Sequence, residues 1–382
     1  MAGAARILLP GRGEALTITR PDWAASYPPP SSRRVYAAAH VAARAGGVID
    51  WDSTMRFREH LWALGFGIAE AMDTAQRGMG LSWAVAGELI TRSAERLAKH
   101  RAAGTLASMA SPLACGAGTD QLADGESHSL PSIARAYLEQ MDLVQGAGAD
   151  VIIMASRALA ASARSARDYL DIYTDLLSQA ERPVILHWLG EAFDPALRGY
   201  WGGAFAAASD TVLELIERAG AKVDGIKLSV LDGAKEVALR RRLPPGIRLY
   251  TGDDFNYAEL IAGDAEGHSD ALLGIFAAIA APAAAALRAL DLGDLAGYRA
   301  AMAPTVPLSR VIFEEPTYHY KVGVAFLAWL NGLQPQFAMV GGLERRRTTA
   351  HLVRVFELAA AAGALTEPEL AVARMTELLE GA

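Results

Sequence analysis

The chain of 382 residues holds one cysteine, Cys115, which excludes an intramolecular disulfide and fits a reducing, cytoplasmic setting. It also lacks a basic excess. The net charge is -7, and a phosphate-neutralising face normally shows as surplus lysine and arginine, so no nucleic-acid partner is expected. The clusters Arg240-Arg-Arg242 and Arg345-Arg-Arg347 sit beside turn or helix-end residues and read as solvated helix ends. No apolar run is of membrane-spanning character. The longest, Ala271 to Leu287, contains Gly274 and Pro282 and much weakly hydrophobic alanine, so it reads as a strand leading into a helix. Near the N-terminus, Ile7-Leu-Leu9 stops at Pro10, far short of a signal-peptide core. No Gly-x-Gly-x-x-Gly follows a strand pattern and no Gly-Lys-Ser/Thr occurs, which removes the dinucleotide and P-loop classes.

What the chain does have is apolar residues, 52% of the total, in an alternating order. Short buried-strand runs occur at Val35–Val41, Gly67–Met72, Gly104–Met109, Asp150–Met154, Pro183–Trp188, Gly225–Ser229, Ile247–Thr251 and Ala271–Ile275. Between them lie stretches with apolar residues at helical spacing, such as Phe57, Leu61 and Leu64, or Ile133, Tyr137, Met141 and Val144. Strands that read as continuous apolar runs, separated by helices, predict a (β/α)8 TIM barrel over residues 34–281. Residues 1–33 read as an appended β-hairpin followed by the stiff Pro28-Pro-Pro-Ser-Ser32 connector. After Pro282 the pattern is helical, and residues 282–382 are expected to pack on the barrel as a helical extension.

The most telling residue is Lys227, in Val223-Asp-Gly-Ile-Lys-Leu-Ser229. A lysine within a β-branched run carries its ammonium into a barrel interior, where burial favours the neutral amine. A neutral, positioned amine attacks a carbonyl to form a Schiff base, an electron sink for breaking a neighbouring bond. Barrel sites are built at the C-terminal strand ends. The polar residues expected there are His40, Asp73 with Thr74, Ser108 with Ser111, Ser156 with Arg157, His187 with Trp188, Ser229, Asp253 with Asp254, and His268. Adjacent strand residues point to opposite faces, so one of Asp253 and Asp254 at most should face the mouth. The alternative role for these same carboxylates is to cap the following helix.

The order of these segments resembles the N-acetylneuraminate lyase and dihydrodipicolinate synthase family of class I aldolases. The likeness is carried by Val48-Ile-Asp-Trp-Asp52, Gly67-Ile-Ala-Glu-Ala-Met-Asp-Thr-Ala-Gln-Arg77, Leu81-Ser-Trp83, the Gly225-Ile-Lys227 strand, the Gly252-Asp-Asp254 strand end and Tyr320-Lys-Val-Gly323. It implies that Lys227 is the Schiff-base lysine. By position, Asp73, Thr74 and Arg77 fall on the family's Gly-Thr-Thr-Gly-Glu loop, which binds the α-carboxylate of a 2-oxo acid. Both glycines are absent here, and Arg77 is expected to offer a carboxylate-binding fork instead. Asp253 and Asp254 fall where the family binds polar parts of its substrate. His187 stands in the family's Tyr-Asn-x-Pro strand, in place of the proton-shuttling tyrosine, and imidazole suits acid–base work near neutral pH. This chain therefore reads as a divergent branch.

These readings predict a lyase, aldolase or dehydratase that takes a small carbonyl substrate, a 2-oxo acid or keto-sugar derivative, through Lys227, with no cofactor. A homo-oligomer, dimer or tetramer, is expected. One alternative is a metal-dependent lyase or isomerase using His40, His187 and His268, although no His-x-His or His-Glu-x-x-His pair is present. Another is a non-catalytic barrel that binds a sugar acid.

Overall fold

The computed structural model describes residues 4–106, 109–123 and 125–381. Eight parallel strands close into one barrel in sequence order: β1 (Val35–Ala38), β2 (Gly67–Glu70), β3 (Leu113–Ala117), β4 (Asp150–Ile153), β5 (Val184–Leu189), β6 (Val223–Ser229), β7 (Arg248–Thr251) and β8 (Asp270–Leu273). β8 pairs with β1 through Ala271 and Val35, which completes the closure. A helix follows each strand, from Trp51–Ala63 after β1 to Ala280–Asp291 after β8. This is a (β/α)8 TIM barrel.

Two cores result from the strand alternation. Outward residues such as Ile68, Ile226 and Leu228 pack with the helices. Inward residues form a separate cluster, with Tyr36, Ala69, Met72, Ala114, Ile152, Met154 and Tyr250 among them. Both faces are buried, which is why these strands read as unbroken apolar runs.

The third strand is displaced from the expected run. Gly104 has φ of +65° and follows the helix Trp83–Ala102, so Gly104–Leu106 belong to its exit, while Ala107 and Ser108 lie outside the described residues. The strand itself is Leu-Ala-Cys-Gly-Ala, small residues with little β-branching and hence a weak strand signal. Their smallness is required. A Cβ on Gly116 would come within 2.5 Å of the Met154 sulfur and 2.9 Å of the Met72 sulfur.

Ala4–Ile7 and Leu16–Thr19 pair as an antiparallel hairpin. The segment after the hairpin is tied down by Trp23, whose Nε1 donates to Gly363 O at 2.8 Å, and the connector by the Ser31 and Ser32 amides on Asp291. The helix Ala280–Asp291 runs across the expected boundary at 281 and serves as the eighth barrel helix. Beyond it, helices at Leu295–Met302, Thr305–Ile312, Lys321–Leu330, Thr349–Ala361 and Pro368–Glu380 complete the chain. This extension does not stay outside the barrel. Between its second and third helices the chain crosses the barrel mouth and lowers Tyr320 onto Thr74.

Candidate active site

Lys227 is on β6, paired in register with His187 of β5 and Tyr250 of β7. Its neighbours Ile226 and Leu228 face the helices, so Lys227 points into the barrel, where 7% of it remains exposed. Gly252 makes room for it. A Cβ there would lie 2.1 Å from Ser229 Oγ and 2.8 Å from Lys227 Cε. Burial lowers the amine's pKa, and the charges of Asp73 and Asp254 oppose that effect without cancelling it. Asp254 is itself buried and accepts the Ile275 amide at 3.1 Å. Burial raises its carboxyl, while Ile275 and Lys227 pull the other way. A lowered lysine beside a raised aspartate makes a buried pair in which the amine holds its proton less tightly, and the carboxyl more tightly, than either would in water.

The two adjacent aspartates divide as the alternation of a strand requires. Asp254 faces Lys227. Asp253 turns to the chain ahead, its carboxylate accepting the Phe255 amide at 2.9 Å, the Asn256 amide at 3.0 Å and the Asn256 side-chain amide at 2.8 Å. Asp253 is thus a capping group rather than a free acceptor at the mouth.

Asp73 and Thr74 begin a short 3-10 turn after β2, which leaves through Gln76 at φ of 67°. Thr74 Oγ1 lies 2.7 Å from the Tyr320 hydroxyl. Tyr320 is stacked on Phe313, with ring centroids 4.3 Å apart. Its phenol pKa is raised well above the usual value by burial and by the Asp73 and Asp254 charges, so it holds its proton. The same two carboxylates act on Lys227.

Arg77 is not an open fork. Its guanidinium pairs with both oxygens of Asp120, and also donates to Gln140 Oε1 at 2.5 Å, to Gly116 O at 2.7 Å and to Ala71 O at 3.2 Å. Burial works to raise the Asp120 carboxyl, but Arg77 and Gln140 outweigh it and hold it below the carboxylate range. The guanidinium is spent on organising the mouth.

His187 is fully buried, with Nε2 3.4 Å from Ser229 Oγ and Nδ1 without a partner among the described residues. Burial and the Lys227 charge push its pKa well below the ordinary value, so the imidazole is neutral. It lines a cavity of about 670 Å³ together with Asp73, Thr119, Ser156 and Leu189. Ser156 caps the helix Arg157–Ser162 and meets Thr119 at 2.6 Å; Arg157 pairs with Asp194 at 2.6 Å.

The remaining expected rim residues are elsewhere. Ser111 precedes β3, at the opposite end of the barrel, and receives the Tyr36 hydroxyl at 2.7 Å. His268 precedes β8 at that same end. Trp188 faces outward and stacks on Phe205. His40 is at the correct end, but Gln334 holds its Nε2 at 2.8 Å, and burial lowers its pKa to about 4. The three histidines proposed as metal ligands therefore do not converge, because His268 enters its strand where the others leave theirs. Among the described residues no group of three or more His, Cys, Asp or Glu side chains could hold a metal ion. Cys115 is buried in β3 and its thiol pKa is raised by burial, which makes it an inert packing residue.

Two residues stand in the site that the strand-end argument did not supply, Tyr320 and Lys321. Both come from the helical extension. A signal was available in the second: the helix Lys321–Leu330 is buried along its whole length and starts with a lysine, at the end where the helix dipole disfavours a cation.

The fold and the site together define a closed (β/α)8 barrel with a buried lysine at its mouth. The fold is similar to a monomeric dihydrodipicolinate synthase variant, with a TM-score of 0.67 and 15% identity over 87% of this chain and 97% of that one. It is similar in the same way to dihydrodipicolinate synthase from Thermotoga maritima, at 0.66 and 15% over 87% and 99%. The enzyme of that name from Aquifex aeolicus matches at 0.64 and 14% over 88% and 99%. At such identities the likeness is one of fold. The chain itself belongs to the family described as "Protein of unknown function (DUF993)", whose model matches residues 11–382. No curated protein matches the sequence. Among the described residues no helix is long and apolar enough to cross a membrane.

Proposed function

We propose that this protein is a class I aldolase-type lyase in which Lys227 forms a Schiff base with a small carbonyl compound, a 2-oxo acid or keto-sugar derivative. The observation that carries this reading is the Lys227 amine itself: buried at the barrel mouth, lowered in pKa, and given space by Gly252. A structural lysine would be paired at the surface or would snorkel out of the barrel.

In this reading the neutral amine adds to the carbonyl carbon and the carbonyl oxygen takes up a proton. Loss of that oxygen as water leaves the iminium, which draws electrons from a neighbouring C–C or C–H bond. The proton traffic needs a donor and an acceptor. Tyr320, which keeps its proton, is the donor, oriented by Thr74. His187, neutral and with a ring nitrogen that has no partner among the described residues, is the acceptor or hydrogen-bonding group on the opposite side of the mouth. The acid–base duty first expected of His187 alone is thus divided with Tyr320. Asp254 stores the proton that Lys227 gives up.

Incubation with 2-oxo acids and borohydride should add one substrate mass to the chain, and peptide mapping should place it on Lys227. Lys227→Arg should not label, since a guanidinium stays protonated. Labelling on another lysine, or none with any of a panel of 2-oxo acids and keto-sugars, would reject the reading.

A further inference from the structure

Lys321 is 3% exposed, and its ammonium is poorly satisfied. It donates to the Tyr318 carbonyl at 3.1 Å and to the Met79 sulfur at 3.5 Å, and it lies 4.6 Å from the centre of the Tyr320 ring. A thioether is a weak acceptor. Among the described residues no carboxylate forms an ion pair with it, while a buried ammonium normally has one. Its position at the first residue of the helix Lys321–Leu330 adds to the cost, because the positive end of the helix dipole repels a cation.

The ammonium faces space rather than packing. Lys321, Tyr318, Tyr320, Phe193 and Asp73 line a recess of about 180 Å³. Asp73 and Leu189 line both this recess and the larger cavity that His187 faces, so the two are parts of one mouth. The neighbouring arginines are already neutralised, Arg77 by Asp120 and Arg157 by Asp194. Burial and Arg157 together lower the Lys321 pKa to about 8, with Asp73 and Asp194 opposing. An arriving anion would restore it.

We propose that Lys321 is the anion-binding residue of the site and holds the carboxylate of the carbonyl substrate in the recess beside Tyr320. The proposal rests on the Schiff-base reading for the identity of the substrate as a carbonyl compound. It replaces Arg77, whose fork is taken, as the carboxylate ligand. Recognition of the substrate's charge then comes from the helical extension and not from a barrel loop. The substrate class narrows to 2-oxo acids, with neutral keto-sugars excluded.

Calorimetric titration of Lys227→Met with pyruvate separates this step from covalent chemistry. Pyruvate should bind, and adding Lys321→Met should weaken it roughly 10- to 100-fold, the range of a charge-assisted hydrogen bond. Methyl pyruvate, which has no charge, should bind both proteins equally. Unchanged pyruvate affinity, or equal loss for the acid and its ester, would overturn the proposal. Dependence on Lys321 for inorganic phosphate but not for pyruvate would overturn the carboxylate assignment. If binding depends on Lys321 yet borohydride never labels Lys227 in the unmodified protein, the Schiff-base reading fails and the anion subsite stands.

Discussion

The two ends of the barrel are built from similar residues and treat them in opposite ways. At the N-terminal end, charges are matched. Asp224 receives Arg248 at 2.9 Å, Arg34 at 3.3 Å and the Tyr250 hydroxyl at 2.5 Å, and Arg248 also reaches Asp270 at 3.3 Å. At the C-terminal end Lys227 and Lys321 are buried without an ion pair among the described residues, and His187 has a ring nitrogen to spare. Matched charges close a floor and hold strands in register. Unmatched ones cost stability and are retained where a ligand completes them. The mouth also contains matched pairs, Arg77 with Asp120 and Arg157 with Asp194, which ring the unmatched groups.

If this contrast is right, removing mouth groups should change chemistry and leave the fold, while removing floor groups should do the reverse. The largest effect is expected for Tyr320→Phe, which keeps the stacking on Phe313 and deletes only the hydroxyl. Turnover on the substrate found by trapping should fall by roughly two to four orders of magnitude, with an unchanged melting temperature. Wild-type rates would make Tyr320 a packing residue. His187→Phe should cost about two orders of magnitude. Activity within a few-fold of the parent in a folded His187→Phe protein would leave the proton traffic to Tyr320 alone.

At the floor, Asp224→Ala should destabilise by about 1–3 kcal/mol, because it strands two partly exposed arginines and the phenol of the buried Tyr250. Denaturant titration reads this, and borohydride labelling of Lys227 should proceed at the parent rate. A labelling defect as large as the stability defect would dissolve the distinction between the two ends.

The smallest effect is on the stability of Lys227→Met, and its size depends on pH. The folded-state pKa of Lys227 is lowered, so below it the native protein carries a buried charge at a cost. Between the folded value and the unfolded value of about 10.4 the unfolded chain binds the extra proton, and stability rises with pH. Lys227→Met should therefore be more stable than the parent near neutral pH, the gap closing as pH approaches 10. Equal stability at all pH values would mean that the ammonium is not under strain.

Much of this was legible in the chain, for physical reasons that also explain the failures. Seven of the eight runs read as strands overlap strands, because burial on both faces forces continuous apolar residues. The exception, β3, is alanine, cysteine and glycine after its leading Leu113, so that Met72 and Met154 fit the interior. Lys227 stood out because a charge within such a run has few benign explanations. Arg77 was visible as a candidate, but its partner Asp120 is 43 residues away and no spacing rule connects them. His268 and Ser111 were placed at the wrong end because polar residues flank a strand on both sides, and order alone does not say which flank is the mouth. Tyr320 and Lys321 lie in a segment with a helical pattern, where the strand-end rule does not look.

The most direct test is reductive trapping across pH. With pyruvate and borohydride, the parent chain should gain one substrate mass on Lys227, at a rate that levels off at a pH below the ordinary lysine range of about 10.4. Such a plateau would match the lowered pKa that burial imposes on the amine. A label on Lys227 whose rate keeps climbing to pH 10, or a label distributed over surface lysines, would contradict an activated amine at the barrel mouth.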